Sequence, residues 1–243
     1  MLKELSYKPF GTKAILIEWE SKISTVILDD IINFKTKIGF EKKDVLDDCI
    51  VGYHSLTLVY KENIKDISLE IESLKAINVL ENIKNSEVRY IWEIPVCYDL
   101  QFGIDLEEMS RAKNITIDEI IKFHTQNLYT VYFIGFLPGF LYLGGLNKIL
   151  YMDRKSTPRL EVFDGAVAIG GSQTGVYPSK SPGGWNILGK TPVLFFNHNN
   201  SNPCFAKSGD KIRFKSVNLE GFKKLEKEIK EGNYISVKEI IYD

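Results

Sequence analysis

The sequence predicts an α+β protein in two parts: a small N-terminal α/β sandwich domain, then a β-barrel domain. Three observations carry this. Residues 1–90 hold only three glycines, Gly11, Gly39 and Gly52, and interleave β-like runs with two amphipathic helical patterns. Residues 135–192 span 58 positions yet hold 11 of the 18 glycines and 5 of the 8 prolines. Short apolar runs lie between those glycines, as expected of many short strands joined by tight corners.

In the first part, AILIEW (residues 14–19) reads as a strand. Ile23, Val26, Ile27, Ile31 and Phe34 recur at helical spacing and predict a helix over residues 22–37. DDCIVGY and SLTLVY read as two more strands. Ile67, Ile71 and Leu74 mark a second helix ending near Asn85. EVRYIWEIPV (residues 87–96) is a further strand, and the domain boundary is placed between residues 92 and 93. In the second part, Asp105 is expected to cap a short helix over residues 106–113. Thr116 and Glu119 have capping-box spacing and open a helix that carries His124. TVYFIGF, AVAIGG, NILG, VLFF and KIRFKSV then read as barrel strands. Phe222, Leu225 and Ile229 mark a late helix, and YISVKEIIYD reads as a last strand returning to the N-terminal sheet.

The formal net charge is -1, so no broad basic field draws the chain to nucleic acid or anionic lipid. No apolar run approaches the ~20 residues needed to cross a bilayer, and MLKELSYKPF lacks a signal-peptide core. A soluble cytoplasmic protein is expected. Cys49, Cys97 and Cys204 are odd in number and far apart, which argues against disulfides and against a metal knuckle. No metal site is expected.

The chemistry-bearing region is glycine-rich. GGSQTGVYPSKSPGGWNILGKTP contains the P-loop pattern Gly184-x-x-x-x-Gly189-Lys190-Thr191. A P-loop opens a helix around an exposed anion. Here Trp185, Ile187 and Leu188 fill the loop and Pro192 follows, so a turn between barrel strands fits better. FIGFLPGFLYLGG suits either core or a pocket wall, the latter through Phe136, Phe140 and Tyr142 alongside four glycines. The residues expected to line a pocket are Phe136, Pro138, Gly139, Phe140, Gln173, Tyr177, Gly183, Gly184 and Trp185. Arg154 and Arg159 offer planar forks for a carboxylate or phosphate, or two surface ion pairs. His124, late on its helix, is a candidate acid or base, or a hydrogen-bonded structural histidine. Asp99, Asp105 and Glu107 are read as capping groups. No HExxH and no GxSxG string occurs.

Several stretches resemble one family in order and spacing: IPVCYDLQFGIDLEEMSR, the histidine at 124, YTVYFIGFLPGFLYLGGL, STPR, GAVAIGGSQTGVYP, SPGGWNILGKTP and SGDKIRF. The family comprises the B subunit of bacterial ATP-dependent 5-oxoprolinase, the sporulation kinase inhibitor KipI, and proteins labelled allophanate hydrolase subunit 1. Its members usually carry Gly-Arg-Thr-Pro where this chain has Gly189-Lys190-Thr191-Pro192, so the P-loop pattern is a coincidence of one exchange. The resemblance implies a cyclophilin-like barrel and association with the other two 5-oxoprolinase polypeptides, a homologous C subunit and a separate A subunit. It implies hydrolysis of 5-oxo-L-proline to L-glutamate coupled to ATP, with this polypeptide inactive alone. Under that reading Arg154 or Arg159 holds an anionic group and His124 assists proton transfer. The alternatives are a binding protein that inhibits a sensor histidine kinase and a component of an allophanate or urea amidolyase-type amide hydrolase.

Overall fold

A computed structural model describes residues 5–81, 88–234 and 236–241. The chain divides into two compact units, Met1–Glu87 and Val88–Asp243.

In the first unit, strands β1 (Ser6–Pro9), β2 (Ala14–Glu18), β3 (Leu46–Val51) and β4 (Ser55–Tyr60) form an antiparallel sheet ordered β1-β2-β4-β3. Helices α1 (Thr25–Lys42) and α2 (Ile67–Asn78) pack against each other, and α1 also meets β3 and β4. Ile15, Ile17, Leu56 and Leu58 alternate toward this core, as the strand period of two requires. From α1 come Ile27, Leu28, Ile31, Phe34 and Ile38, spaced to share one face. The helix begins later than its pattern suggests, because Ser24 is extended, and runs further because Ile38 prolongs the buried stripe. Lys37 is also buried. Its Nζ donates to the carbonyls of Asn78 (3.0 Å) and Leu80 (2.7 Å), satisfying acceptors at the end of α2. That helix stops at Asn78, and the expected end near Asn85 lies outside the described residues.

The second unit contains, in chain order, β5 (Arg89–Cys97), α3 (Leu106–Lys113), α4 (Ile117–Thr125), β6 (Leu128–Ile134), β7 (Leu141–Gly144), β8 (Arg159–Val162), β9 (Ala166–Gly170), β10 (Gln173–Val176), β11 (Ser181–Gly183), β12 (Asn186–Lys190), β13 (Lys211–Val217), α5 (Leu219–Lys230) and β14 (Lys238–Ile241). Seven strands close a barrel in the order β12-β9-β10-β7-β6-β13-β5, with Lys190 of β12 pairing Cys97 of β5 to complete it. β5 and β13 run parallel, from Ile91–Lys211 to Cys97–Val217. β8 and β11 pair separately as a small flap.

Three expectations change here. The strand at 87–96 belongs to the barrel, so the 92/93 boundary falls inside β5. β14 does not return to the N-terminal sheet. It pairs antiparallel with β5 from Trp92–Lys238 to Arg89–Ile241, on the stretch of edge that β12 leaves uncovered. VLFF is not a strand, although Val193 and Phe195 are buried. It follows closely on the Lys190–Cys97 pair that closes the barrel and itself pairs with no strand.

β9 shows how the barrel feeds the site. All five of its residues are buried. Val167 and Ile169 point into the main core with Val131, Leu143 and Phe214. Ala166 and Ala168 point the other way, against Phe140, Tyr177 and Trp185. A strand buried on both faces needs apolar residues throughout, and the small alanines leave space for large rings outside the barrel wall. Among the described residues no helix is long and apolar enough to cross a membrane.

Candidate functional site

The outer aromatic cluster encloses a cavity of about 280 Å³. The β6–β7 connection supplies Phe136 and Phe140, and β7 supplies Tyr142. Phe140 meets Trp185 at 5.5 Å and 83°, and Tyr177 at 5.3 Å and 89°. These edge-to-face contacts place a positive ring edge against a negative ring face. Phe136 lies at the mouth, 62% exposed and with φ 62, a left-handed conformation that a bulky side chain adopts at some cost.

Glycine makes this packing possible. A Cβ on Gly170 would lie 2.5 Å from the Trp185 ring nitrogen, and one on Gly183 would lie 2.8 Å from the Tyr177 ring. The glycine-rich stretch is therefore a rigid seat for aromatic rings, not a spacer. Nor is it a phosphate loop: Gly189 and Lys190 lie inside β12, and no helix follows.

Six of the nine expected binding residues line this cavity: Phe136, Phe140, Tyr177, Gly183, Gly184 and Trp185. Pro138 and Gly139 form the turn behind it and do not line it. Gly139 has φ 85, and a Cβ there would meet the Phe195 carbonyl at 2.9 Å. Gln173 is also absent from the lining, because it stands at the start of β10 opposite Gly170.

Arg154 joins the cavity, its guanidinium carbon 5.6 Å from the centre of the Trp185 ring. A cation over an indole face is a favourable arrangement that leaves the fork's N–H groups available. No carboxylate among the described residues lies within ion-pair distance of it. Burial raises the hydroxyl pKa values of Tyr142 and Tyr177, with Arg154 offsetting part of the effect in each. Both phenols stay protonated near neutral pH and can donate a hydrogen bond.

Arg159 takes the ion-pair role, one of the two expected of it, but with a buried carboxylate. Its Nη2 donates to Asp105 Oδ1 at 2.6 Å, and its Nη1 reaches the Trp185 carbonyl at 3.4 Å. Asp105 stands at the N-cap position of α3, but its side chain makes no capping bond. It is buried, accepts from Ile187 N–H at 2.7 Å through Oδ2, and meets Lys155 Nζ at 3.1 Å through Oδ1. Lys155 also reaches Glu108 at 2.5 Å. This carboxylate clamps the β8 arginine, the 155 segment and β12 together, and so fixes the cavity's back wall.

His124 does not reach the cavity. It is 0% exposed inside the barrel, stacked on Phe214 at 4.7 Å and 20°. Its Nδ1 bonds the Tyr98 hydroxyl at 2.7 Å and its Nε2 bonds the Thr174 hydroxyl at 2.9 Å. Burial pulls its pKa down to about 3, so the helix C-terminus does not decide its charge; desolvation does. A sealed, neutral, doubly bonded ring is a structural group. Because the folded-state value lies below the unfolded one, near 6.5, stability holds above pH 6.5 and is lost as pH falls toward 3. Denaturant unfolding at pH 6.5 and pH 5 should differ by about 2 kcal/mol from this residue. His124→Asn should flatten that slope, while an unchanged slope would assign the loss to other groups.

Three lining residues carry no signal that singled them out as pocket residues in the sequence: Lys155, Pro158 and Pro182. Tyr142 is legible beside Phe136 and Phe140, as an aromatic of the same glycine-rich stretch. The Asp105 clamp is not, because its partners lie 54 and 82 positions away.

A family model for the carboxyltransferase domain, subdomains C and D, matches residues 5–206. A protein from Bacillus subtilis (strain 168), named as the B subunit of 5-oxoprolinase, is 40% identical over 72% of this chain and 77% of its own length. One of the same name from Haemophilus influenzae is 37% identical over 71% of this chain and 80% of its own. The crystal structure of TTHA0988 superposes with a TM-score of 0.73 at 29% identity, covering 85% of this chain. This chain spans 40% of that longer one. The K. lactis urea amidolyase superposes with a TM-score of 0.81 over 98% of this chain and 16% of that chain, at 17% identity, a likeness of fold alone. This chain belongs to the carboxyltransferase-domain family, subdomains C and D, and within it to the B-type polypeptides of 5-oxoprolinase.

Proposed function

We propose that this chain is the B subunit of an ATP-dependent 5-oxoprolinase complex, which hydrolyses 5-oxo-L-proline to L-glutamate, and that its aromatic cavity receives the lactam. The observation that carries the reading is an arginine, free of any carboxylate among the described residues, over an indole at the edge of a small apolar cavity. A five-membered lactam carboxylate needs an apolar surface for its ring methylenes and a planar cation for its carboxylate. Phe136, Phe140, Tyr177 and Trp185 supply the first, and Arg154 supplies the second. Gly183 and Gly184 keep one wall free of side chains.

Opening the lactam is difficult because its amide is resonance-stabilised. ATP makes the step feasible when phosphorylation of the amide oxygen gives a better electrophile. The residues of this chain bind and orient the ring, and His124 takes no part in moving protons. The activity requires the assembled complex, and the chain alone is expected to be inactive. The chain acts in the cytoplasm. The names of its relatives support this reading over the kinase-inhibitor and allophanate alternatives.

Co-expression with the cognate A and C subunits should give ATP hydrolysis that depends on 5-oxoproline. Omission of this chain should abolish it. A full complex that binds neither 5-oxoproline nor ATP would overturn the proposal.

A further inference from the structure

Beside the aromatic cavity, across Arg154 and Lys155, lies a larger hollow of about 690 Å³. Its walls are the second half of α3, the 151–156 segment, the Gly171–Ser172 turn and Asn186. Its cations are in two states. Lys155 is neutralised by Asp105 and Glu108. Lys113 and Arg154 meet no carboxylate among the described residues; Lys113 bonds the carbonyl of Tyr151. Two cations that meet no carboxylate among the described residues line one hollow, which favours an anion there.

Asn186 gives the second observation. It is 0% exposed, and its Nδ2 donates to the carbonyls of Asp153 at 2.9 Å and Ile169 at 3.3 Å. Those bonds fix the amide's orientation and leave Oδ1 buried with no donor among the described residues. A buried acceptor without a partner requires an explanation, and a ligand N–H or O–H supplies one. The rim also carries Glu108, held by Lys155, and Asp153. These two carboxylates would repel a polyanion, so the ligand is compact.

We propose that this hollow is a second ligand site, adjoining the aromatic cavity and sharing Arg154 and Lys155 with it. It takes a small molecule whose carboxylate or phosphoryl oxyanion lies between Arg154 and Lys113, with a hydrogen-bond donor turned toward Asn186. The inference does not rest on the 5-oxoprolinase reading, since anion binding needs no turnover and no partner polypeptide.

The test is a nitrogen-15 NMR titration of the full chain with sodium phosphate and, separately, sodium acetate, at constant ionic strength. Saturable shifts at the amides of Ser156, Gly171 and Ser172 are expected with one or both anions. The tighter anion identifies the oxyanion class. Lys113→Gln should weaken binding about fivefold, the scale of one solvent-screened charge contact. Lys180→Gln, which removes a lysine paired with Glu161 outside the hollow, should leave binding unchanged. The proposal is overturned by shifts that fail to saturate, by an unaltered affinity in Lys113→Gln, or by shifts confined to the Trp185 indole. The last result would leave the aromatic cavity's role intact.

Discussion

Asp105→Ala is expected to destabilise the protein by about 3 kcal/mol. The carboxylate is 3% exposed at its side chain and holds two cations and a backbone N–H. Removing it leaves Arg159 with only the Trp185 carbonyl, Lys155 with only Glu108, and the Ile187 amide without that acceptor. The figure is at the low end for a broken buried pair, because those two side chains keep 28% and 18% of their exposure and water can reach them. Activity should fall further than stability alone dictates, because the clamp positions Trp185 through its carbonyl and Gly184 through Lys155. Asp105→Asn keeps the shape and one acceptor, so it should recover part of the loss. Urea unfolding of both variants checks this, and equal stability of Asp105→Ala and wild type would remove the clamp from the account.

Trp185→Ala should cost about 3–5 kcal/mol, the usual range for emptying a packed tryptophan site. The ring is 4% exposed and touches Phe140, Tyr177 and Tyr142 on one side of the cavity. It also carries Arg154 on its face. Loss of the ring therefore removes the cavity wall and the arginine's support together. Gly170→Ala approaches the same ring from behind, at 2.5 Å from its nitrogen, and should destabilise by about 1–3 kcal/mol through overpacking. Combining Gly170→Ala with Trp185→Phe should cost less than the sum of the two single changes, since the smaller ring vacates the contested space. Strict additivity in that cycle would mean that the glycine is not there for the tryptophan.

What is legible in the sequence, and what is not, divides along sequence separation. The capping box at Thr116 and Glu119 is present as read, because it depends on four consecutive residues. The barrel is announced by glycines at corners and by short apolar runs, both local signals. The aromatic cavity is legible in outline, since the glycines beside Trp185 and Tyr177 signal close packing. Three features escape. Arg159 and Asp105 find each other across the fold, where spacing carries no information. His124 reads from its helix position as either a titrating or a structural group, and only its burial, which the sequence does not show, decides for the second. VLFF has the composition of a strand, but strand identity needs a free partner edge, which only the closed topology decides. In each case tertiary context overrides a local preference.

The most direct test of the central claim is the affinity of the assembled complex for 5-oxo-L-proline, measured with wild type and with Arg154→Gln. The account predicts binding at least about tenfold weaker in the variant, the scale of one lost charged hydrogen bond, with the fold preserved. An unchanged affinity would contradict it, because the carboxylate would then be held elsewhere.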